Sequence, residues 1–471
     1  MLQEEWNTLM LRKKRLSRNN FMILRHNFVL CVLVILSGCG AQKEPIGEIV
    51  KVSGVAQSQV ALKPVFDQPG STHALAKGPT QKVMLGSPEL LQGIAGKGDV
   101  TVAEIRQWLD DPANHLPLEI ELPLGLEPGV CRMKDLTQNP MTRAKIELGR
   151  QLFFEKRLSA DNTISCAHCH EPEKGYTVAS AVAVGVNGQK GRRNPPTLLN
   201  RIMLGLGEDR QFWDGRSISV EDALLHALKD PTEMAASPEE TIKKLKEIEG
   251  YRLQFEQIYQ GVTWEAIGDA TGCFVRCLVT ETSPYDYSDK WRAFKHLDQQ
   301  SLDDDPELAE RHQRFKSAAE AHPMSESAYR GESIFFGNKA WCSGCHNGVT
   351  FTDELYHNIG IGIGSSSGGS PSTDLGRFET TKMGEDWGAF KTPSIRAAIW
   401  TAPYMHDGSV ASLKDVIEYY AHESVASRNL DYRFQRIAGP ELTEQDKEDL
   451  LEFVKACSGA LPKVQTGRLP Q

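Results

Sequence analysis

The sequence predicts an all-α protein built from two copies of one helical module joined by loop-rich connections, and three observations carry that prediction. Apolar residues recur at helical spacing, with Ala144, Leu148 and Leu152 four apart and Val416, Tyr419 and Tyr420 following Leu413 at intervals of three to four. Long β-rich runs are missing. Five short landmarks occur twice in the same order, as an internal duplication requires. A chain of 471 residues also exceeds the length one hydrophobic core sustains, in keeping with two modules plus tails.

Taken in chain order, the first element is an export signal. Six basic residues (Arg12, Lys13, Lys14, Arg15, Arg18, Arg25) precede the apolar run from Phe28 to Leu36, which is too short to span a bilayer. Leu36-Ser-Gly-Cys39 resembles a bacterial lipobox, so Cys39 is expected to become the lipid-anchored first residue of a mature, periplasmic protein. Met22 lies closer to the usual start of such a signal. Removing residues 1–38 moves the formal net charge from −9 to −13, because that segment holds six basic and two acidic side chains. So acidic a chain offers no electrostatic handle to nucleic acid. The next stretch, rich in Gly, Ser, Pro, Ala and Lys without periodicity, reads as a flexible tether. The expected organisation is a signal over 1–38, a tether over 39–85, a first module over 86–325 and a second over 326–465.

The duplicated landmarks define the modules. The first runs through Gly149 to Phe154, Cys166-Ala-His-Cys-His170, Pro196-Thr-Leu198, Trp213-Asp-Gly215 and a helix beginning at Val220. The second runs through Gly331 to Phe336, Cys342-Ser-Gly-Cys-His346, Pro393-Ser-Ile395, His406-Asp-Gly408 and a helix beginning at Leu413. The second copy is enlarged by a Gly/Ser-rich loop, 360–369.

Cys-x-x-Cys-His is the attachment signature of c-type haem: two thiols add to the two vinyl groups while the following histidine turns onto the iron. With this composition about 0.006 chance occurrences are expected per chain, and there are two. Two Cys-x-x-Cys pairs could instead form a zinc ribbon, which needs no histidine after each pair. Two covalently bound c-type haems are therefore expected, with Cys166, Cys169, Cys342 and Cys345 as thioethers and His170 and His346 as proximal ligands. His168 falls at a variable position of the motif and is expected to face solvent. Cys131, Cys273, Cys277 and Cys457 remain; in an oxidising compartment a disulfide from Cys273 or Cys277 to Cys131 or Cys457 is one option.

With those motifs in place, residues Leu118 to Leu461 resemble the bacterial di-haem cytochrome c peroxidases and their MauG-type relatives. The resemblance rests on Leu148 to Phe154, Arg193-Asn-Pro-Pro-Thr-Leu-Leu-Asn200, Gln211-Phe-Trp-Asp-Gly-Arg216, Pro231-Thr-Glu-Met234, Phe351-Thr-Asp353 with His357-Asn-Ile-Gly360, Phe390-Lys-Thr-Pro393 and Ala402-Pro-Tyr-Met-His-Asp-Gly408. It implies two cytochrome c-like domains, with Glu233 as the distal carboxylate of the peroxide-binding haem and Trp213 as the electron relay between haems. It also implies an inter-haem calcium ion held by Asn194, Thr401 and the carbonyl of Pro403. A carboxylate over an open iron face can take the proton from one peroxide oxygen and return it to the other. Taken alone, a Glu after Pro231 more often serves a loop, and a Trp in Phe-Trp-Asp-Gly more often serves a core.

Two departures bear on which member of the family this is. Where peroxidases that need reductive activation carry a displaceable distal histidine, this chain has Gly185-Val-Asn-Gly188, and valine cannot ligate iron. His226, on the helix before Glu233, could approach the pocket or simply be exposed. Tyr420 aligns with the peroxidases' distal methionine, as in MauG-type members, with Met405 the alternative if the alignment slips. A phenolate favours oxidised iron, so a His346/Tyr420 haem should be hard to reduce. The expected function is reduction of hydrogen peroxide with electrons from a small cytochrome c or cupredoxin. The alternatives are a MauG-type enzyme that oxidises aromatic residues of a partner protein, and a di-haem electron-transfer cytochrome without peroxide chemistry.

Overall fold

The computed structural model describes residues 80–471, apart from 134–135, 137–138, 204–209, 363–373, 422–428 and 438–441. The export signal, Cys39, nearly all of the expected tether and most of the Gly/Ser-rich loop lie outside the described residues. In chain order, the elements that position the site are β1 (Gln81–Met84), α1 (Val102–Asp110), β2 (Leu118–Glu121), α2 (Arg143–Phe154), α3 (Val220–Lys229), α4 (Trp264–Arg276), α5 (Pro284–Phe294), α6 (Pro306–Ala321), α7 (Glu326–Phe336), β3 (Tyr356–His357), β4 (Phe390–Lys391), α8 (Leu413–Ala421) and α9 (Glu444–Ala456). The architecture is helical, as expected, and among the described residues strands occur only in two short pairs.

The repeat is a repeat of helix crossings. In the first half α2 crosses α4, and in the second α7 crosses α9. Glycine makes each crossing possible. A Cβ on Gly149 would lie 1.9 Å from the Ala270 carbonyl oxygen, and one on Gly331 would lie 1.9 Å from that of Asp449. The paired phenylalanines that follow each glycine then reach the same depth. Phe153 meets Phe274 at 5.2 Å, and Phe335 meets Phe453 at 5.0 Å. All four helices begin at a hydroxyl cap, Thr142, Thr263, Ser325 and Thr443, whose oxygen accepts an otherwise orphaned backbone N–H. Helices α5 and α6 fall between the last landmark of one copy and the first of the next. They pair through Phe294 and Phe315, and Arg292 ties them to Glu332 of α7 at 2.6 Å.

Two boundaries differ from expectation. The folded body already begins inside the segment read as a tether: β1 pairs in parallel with β2, from Gln81 opposite Leu118 to Met84 opposite Glu121. Val83 and Leu85 are buried in the core, and too few apolar residues precede them for the composition to signal it. At the other end, the chain leaves α9 and returns to the first half. Val100 N–H donates to the Leu469 carbonyl, Gln465 N–H to that of Leu91, and buried Arg468 donates to the Ile94 and Gly98 carbonyls and pairs with Glu104 of α1. The buried Arg150–Glu147 pair of α2, 2.7 Å apart, also donates from Arg150 to the carbonyls of Gln465 and Arg468. Buried charge is tolerated here because each guanidinium nitrogen donates to an acceptor.

Among the described side chains the disulfide option is not realised. Cys273, Cys277 and Cys457 are free, buried thiols. Cys273 donates to Asn139 Oδ1 and Cys277 to the carbonyl of Cys273, one helical turn back. The side chain of Cys131 lies outside the described residues.

Candidate active site

Both Cys-x-x-Cys-His segments open onto one cavity of about 360 Å³, and the residues expected to hold haem or calcium, together with Glu233 and Trp213, line it, whereas His226 does not. The first segment is a single helical turn, Cys166–Cys169, that ends on His170. The His170 ring then lies 2.9 Å, at Nδ1, from the Tyr176 carbonyl. A carbonyl only accepts, so Nδ1 carries the proton and Nε2 keeps its lone pair for a metal. Burial holds this ring neutral, with a pKa pulled down to about 4 despite the opposing carbonyl. His168 is exposed, as expected.

The second segment repeats the arrangement. His346 Nδ1 lies 3.1 Å from the Phe351 carbonyl, and burial again lowers the ring's pKa. Tyr176 and Phe351, whose carbonyls fix the two imidazoles, both have left-handed backbone, with φ of 60° and 51°. Tyr420 comes from α8 to the same wall of the cavity. Burial raises its phenol well above the ordinary value, with the Cys345 and Cys342 sulfurs adding to the effect. Its neighbour Tyr419 is committed elsewhere, donating to the Ile359 carbonyl at 2.6 Å. Met405 also lines the cavity.

Glu233 stands in the turn after α3, its N–H bonded to the Asp230 carbonyl. Burial pushes its carboxyl up to about 7, the Asp230 charge adds to the shift, and Arg216 opposes it. The Gly185–Gly188 segment lies directly on this turn: Val186 N–H donates to the Glu233 carbonyl at 2.9 Å, and a Cβ on Gly185 would sit 2.1 Å from the Thr232 carbonyl. The Val186 side chain is 1% exposed and packs with Leu148, Leu228 and Met234. It is not among the residues that line the cavity. His226 points elsewhere: its side chain is half exposed and its Nδ1 meets Ser217 Oγ at 2.6 Å.

Trp213 lines the same cavity; its Nε1–H donates to the Asn194 carbonyl at 2.8 Å and its own carbonyl accepts from Lys391. Asn194, Thr401 and Pro403 line the cavity. The Asn194 side-chain oxygen accepts from Thr177, and the Thr401 hydroxyl donates to the Ala398 carbonyl. One group escaped sequence reasoning as a unit. His357 is held between Asp353 at 2.9 Å and Asp431 at 2.8 Å; the carboxylates and the Cys345 sulfur raise its pKa against the cost of burial. Asp353 and His357 belong to one motif, but Asp431 stands 74 residues further on, beyond any local spacing rule.

This geometry can be set beside known proteins. A family model for di-haem cytochrome c peroxidase matches residues 143–292. The methylamine utilization protein MauG of Methylophilus methylotrophus is 32% identical over 341 residues, covering 71% of this chain and 88% of that protein. The chain belongs to the di-haem cytochrome c peroxidase family. Cytochrome c551 peroxidase of Pseudomonas aeruginosa is 27% identical, covering 72% of this chain and 86% of its own. Among solved structures, a MauG-like protein associated with microbial copper homeostasis superposes with a TM-score of 0.56 at 28% identity, over 69% of this chain and 93% of that one. Family membership makes this chain an oxidoreductase of the haem-peroxidase kind and implies two c-type haems. The residues fit that cofactor. Each half offers two cysteines free of disulfides beside a neutral imidazole whose Nε2 remains for iron, on an otherwise largely apolar wall.

Proposed function

We propose that this chain is an exported di-haem peroxidase that reduces hydrogen peroxide beside Glu233, on the cavity side of His170, with electrons supplied through its second half. The observation that carries this reading is the pairing of Glu233 with Val186. A half-buried carboxyl whose pKa is raised to about 7 lines the cavity, while the position that would hold a displaceable ligand carries a valine packed into the apolar cluster.

In this reading Cys166, Cys169 and His170 would hold one haem, and Cys342, Cys345, His346 and Tyr420 would hold the other. When bound, haem supplies the redox-active iron at which the peroxide O–O bond breaks. The chain's side chains do the rest. Ionised Glu233 accepts the proton of one peroxide oxygen and delivers it to the other, so that water departs in place of hydroxide. Two electrons and two protons complete the conversion of one peroxide to two waters. Trp213 spans the two halves through its bonds to Asn194 and Lys391 and relays electrons between them. Asn194, Thr401 and the Pro403 carbonyl would hold calcium, a hard ion suited to oxygen donors. The electron donor is a small cytochrome c or cupredoxin. The signal-like N-terminal run and the lipobox-like segment ending at Cys39 support a lipid-anchored, periplasmic enzyme; among the described residues no helix is long and apolar enough to cross a membrane.

A second reading, a MauG-type enzyme that uses peroxide to oxidise aromatic residues of a partner protein, is favoured by Tyr420 and by Val186. Mixing the ferric protein with one equivalent of peroxide separates the readings. Rapid discharge by reduced cytochrome c supports the peroxidase. A long-lived, two-electron-oxidised state that cytochrome c discharges slowly supports the protein-modifying enzyme, and an unchanged spectrum would leave electron transfer alone. Glu233→Gln should lower the rate of peroxide cleavage by about 10³-fold while leaving both haems attached. Normal turnover in that variant would remove Glu233 from the mechanism.

A further inference from the structure

Trp213 and His406 hold the same place in the two copies, and their backbones are bonded reciprocally. Lys391 N–H donates to the Trp213 carbonyl at 2.8 Å, and Asn194 N–H donates to the His406 carbonyl at 2.7 Å. Asn194 and Lys391 are themselves equivalent, each two residues before its copy's proline landmark, Pro196 or Pro393. Each Asp-Gly turn thus docks on the opposite half. A Cβ on Gly215 would strike the Tyr356 hydroxyl, and one on Gly408 would lie 2.4 Å from the Ala181 carbonyl.

The two side chains then part company. Trp213 uses its only polar atom on the Asn194 carbonyl. His406 is 4% exposed, and its ring stacks on Phe390 with centroids 3.5 Å and planes 11° apart. Its Nε2 is buried without a protein hydrogen bond, and the residue lines the cavity shared by both Cys-x-x-Cys-His segments. Buried polar atoms in folded proteins find partners, so this nitrogen is directed at something the cavity receives.

We propose that His406 Nε2–H donates a hydrogen bond to a propionate carboxylate of one of the two haems, making His406 a positioning residue for that cofactor at the junction of the halves. The proposal rests on reading the cavity as the di-haem site. Once thioether bonds have consumed the vinyl groups, the propionates are the only polar groups on a haem's edge. A carboxylate accepts and an imidazole N–H donates, so the pair is chemically matched. Stacking on Phe390 holds the ring plane, which sets the direction of Nε2 before the cofactor arrives. Trp213, its donor already engaged, is left to conduct, while its counterpart is left to anchor.

The test uses the full-length holoprotein. Haem content by the pyridine haemochrome assay comes first: fewer than two haems per chain in the wild type would defeat the di-haem reading itself. With two haems present, a crystal structure of the wild type should place His406 Nε2 within about 3.2 Å of a propionate oxygen. His406→Phe should then lower the midpoint potential of one haem and leave the other unchanged, because an uncompensated carboxylate favours ferric iron. It should also move a propionate bending band in the resonance Raman spectrum, and His406→Gln, which keeps an N–H donor, should restore both. A water molecule as the sole partner of Nε2, or potentials in His406→Phe equal to those of the wild type, would overturn the proposal. If neither variant folds, the wild-type structure decides alone.

Discussion

The first and second halves are the same crossing of helices turned to different ends. Gly149 and Gly331 let their helices touch backbone to backbone, Phe153 and Phe335 fill the same space, and Tyr176 and Phe351 offer the same carbonyl to the same imidazole nitrogen. The contrast lies on the cavity side. In the first half the wall carries a carboxyl, with the valine turn packed into the core and off the cavity; in the second it carries a phenol next to Phe434, with the Asp353–His357–Asp431 triad at its edge. Duplication preserved what holds each histidine, and divergence acted on what faces it, because only the facing groups can change the chemistry without loosening the core.

The comparison can be broken most forcefully at Tyr420. If it is an iron ligand, Tyr420→Met should raise the reduction potential of the second haem by on the order of 0.2 V, close to 5 kcal/mol, since thioether favours reduced iron. Potentiometric titration that finds neither haem altered would remove Tyr420 from the ligand set. Next in size, Gly149→Val and Gly331→Val should each cost more than about 4 kcal/mol, because the new side chain meets a backbone carbonyl that cannot yield. Unequal costs, measured by denaturant unfolding, would show that the two crossings are less alike than their geometry.

A smaller effect should set the halves apart. Arg468→Ala strips donors from the Ile94 and Gly98 carbonyls and should destabilise the first half by roughly 3 kcal/mol. Hydrogen exchange should then accelerate in α1 and α2 and stay unchanged in α7 and α9; uniform acceleration would mean the tail supports both. The smallest effect concerns pH. A Glu233 carboxyl pushed up to about 7 is protonated below that value and cannot serve as a base, so kcat/KM for peroxide should fall about tenfold per unit as pH drops below 7. Arg216 opposes the shift, so Arg216→Ala should move the limb to higher pH. A limb that stays in place in Arg216→Ala, or survives in Glu233→Gln, would belong to another group.

Much of this was legible in one dimension. The helices around Leu148 and Val416 follow from periodicity, and the repeated Gly-to-Phe-Phe landmark marks both crossings before any coordinate is known. Other features hid for identifiable reasons. β1 is four residues long and follows a stretch without periodicity, so composition placed its start in the tether. The return of the tail to the first half was hidden because its partners, Leu91, Val100 and Glu104, lie more than 350 residues earlier. His406 was visible only as the counterpart of Trp213 in the repeat, with nothing to show that its ring nitrogen would be buried without a partner.

The sequence by itself determined the attachment chemistry and the duplication, since two thiols and an imidazole within five residues are brought together by a single turn of backbone. It also determined that position 186 cannot ligate a metal, because valine has no donor atom. Only the tertiary structure decided that Glu233, Trp213, Tyr420 and His406 share one cavity, and that Val186 turns into the core beside it. Those residues are brought together by helix crossings and reciprocal loop bonds across the whole chain. Their proximity is a property of the packed fold, and no local spacing encodes it.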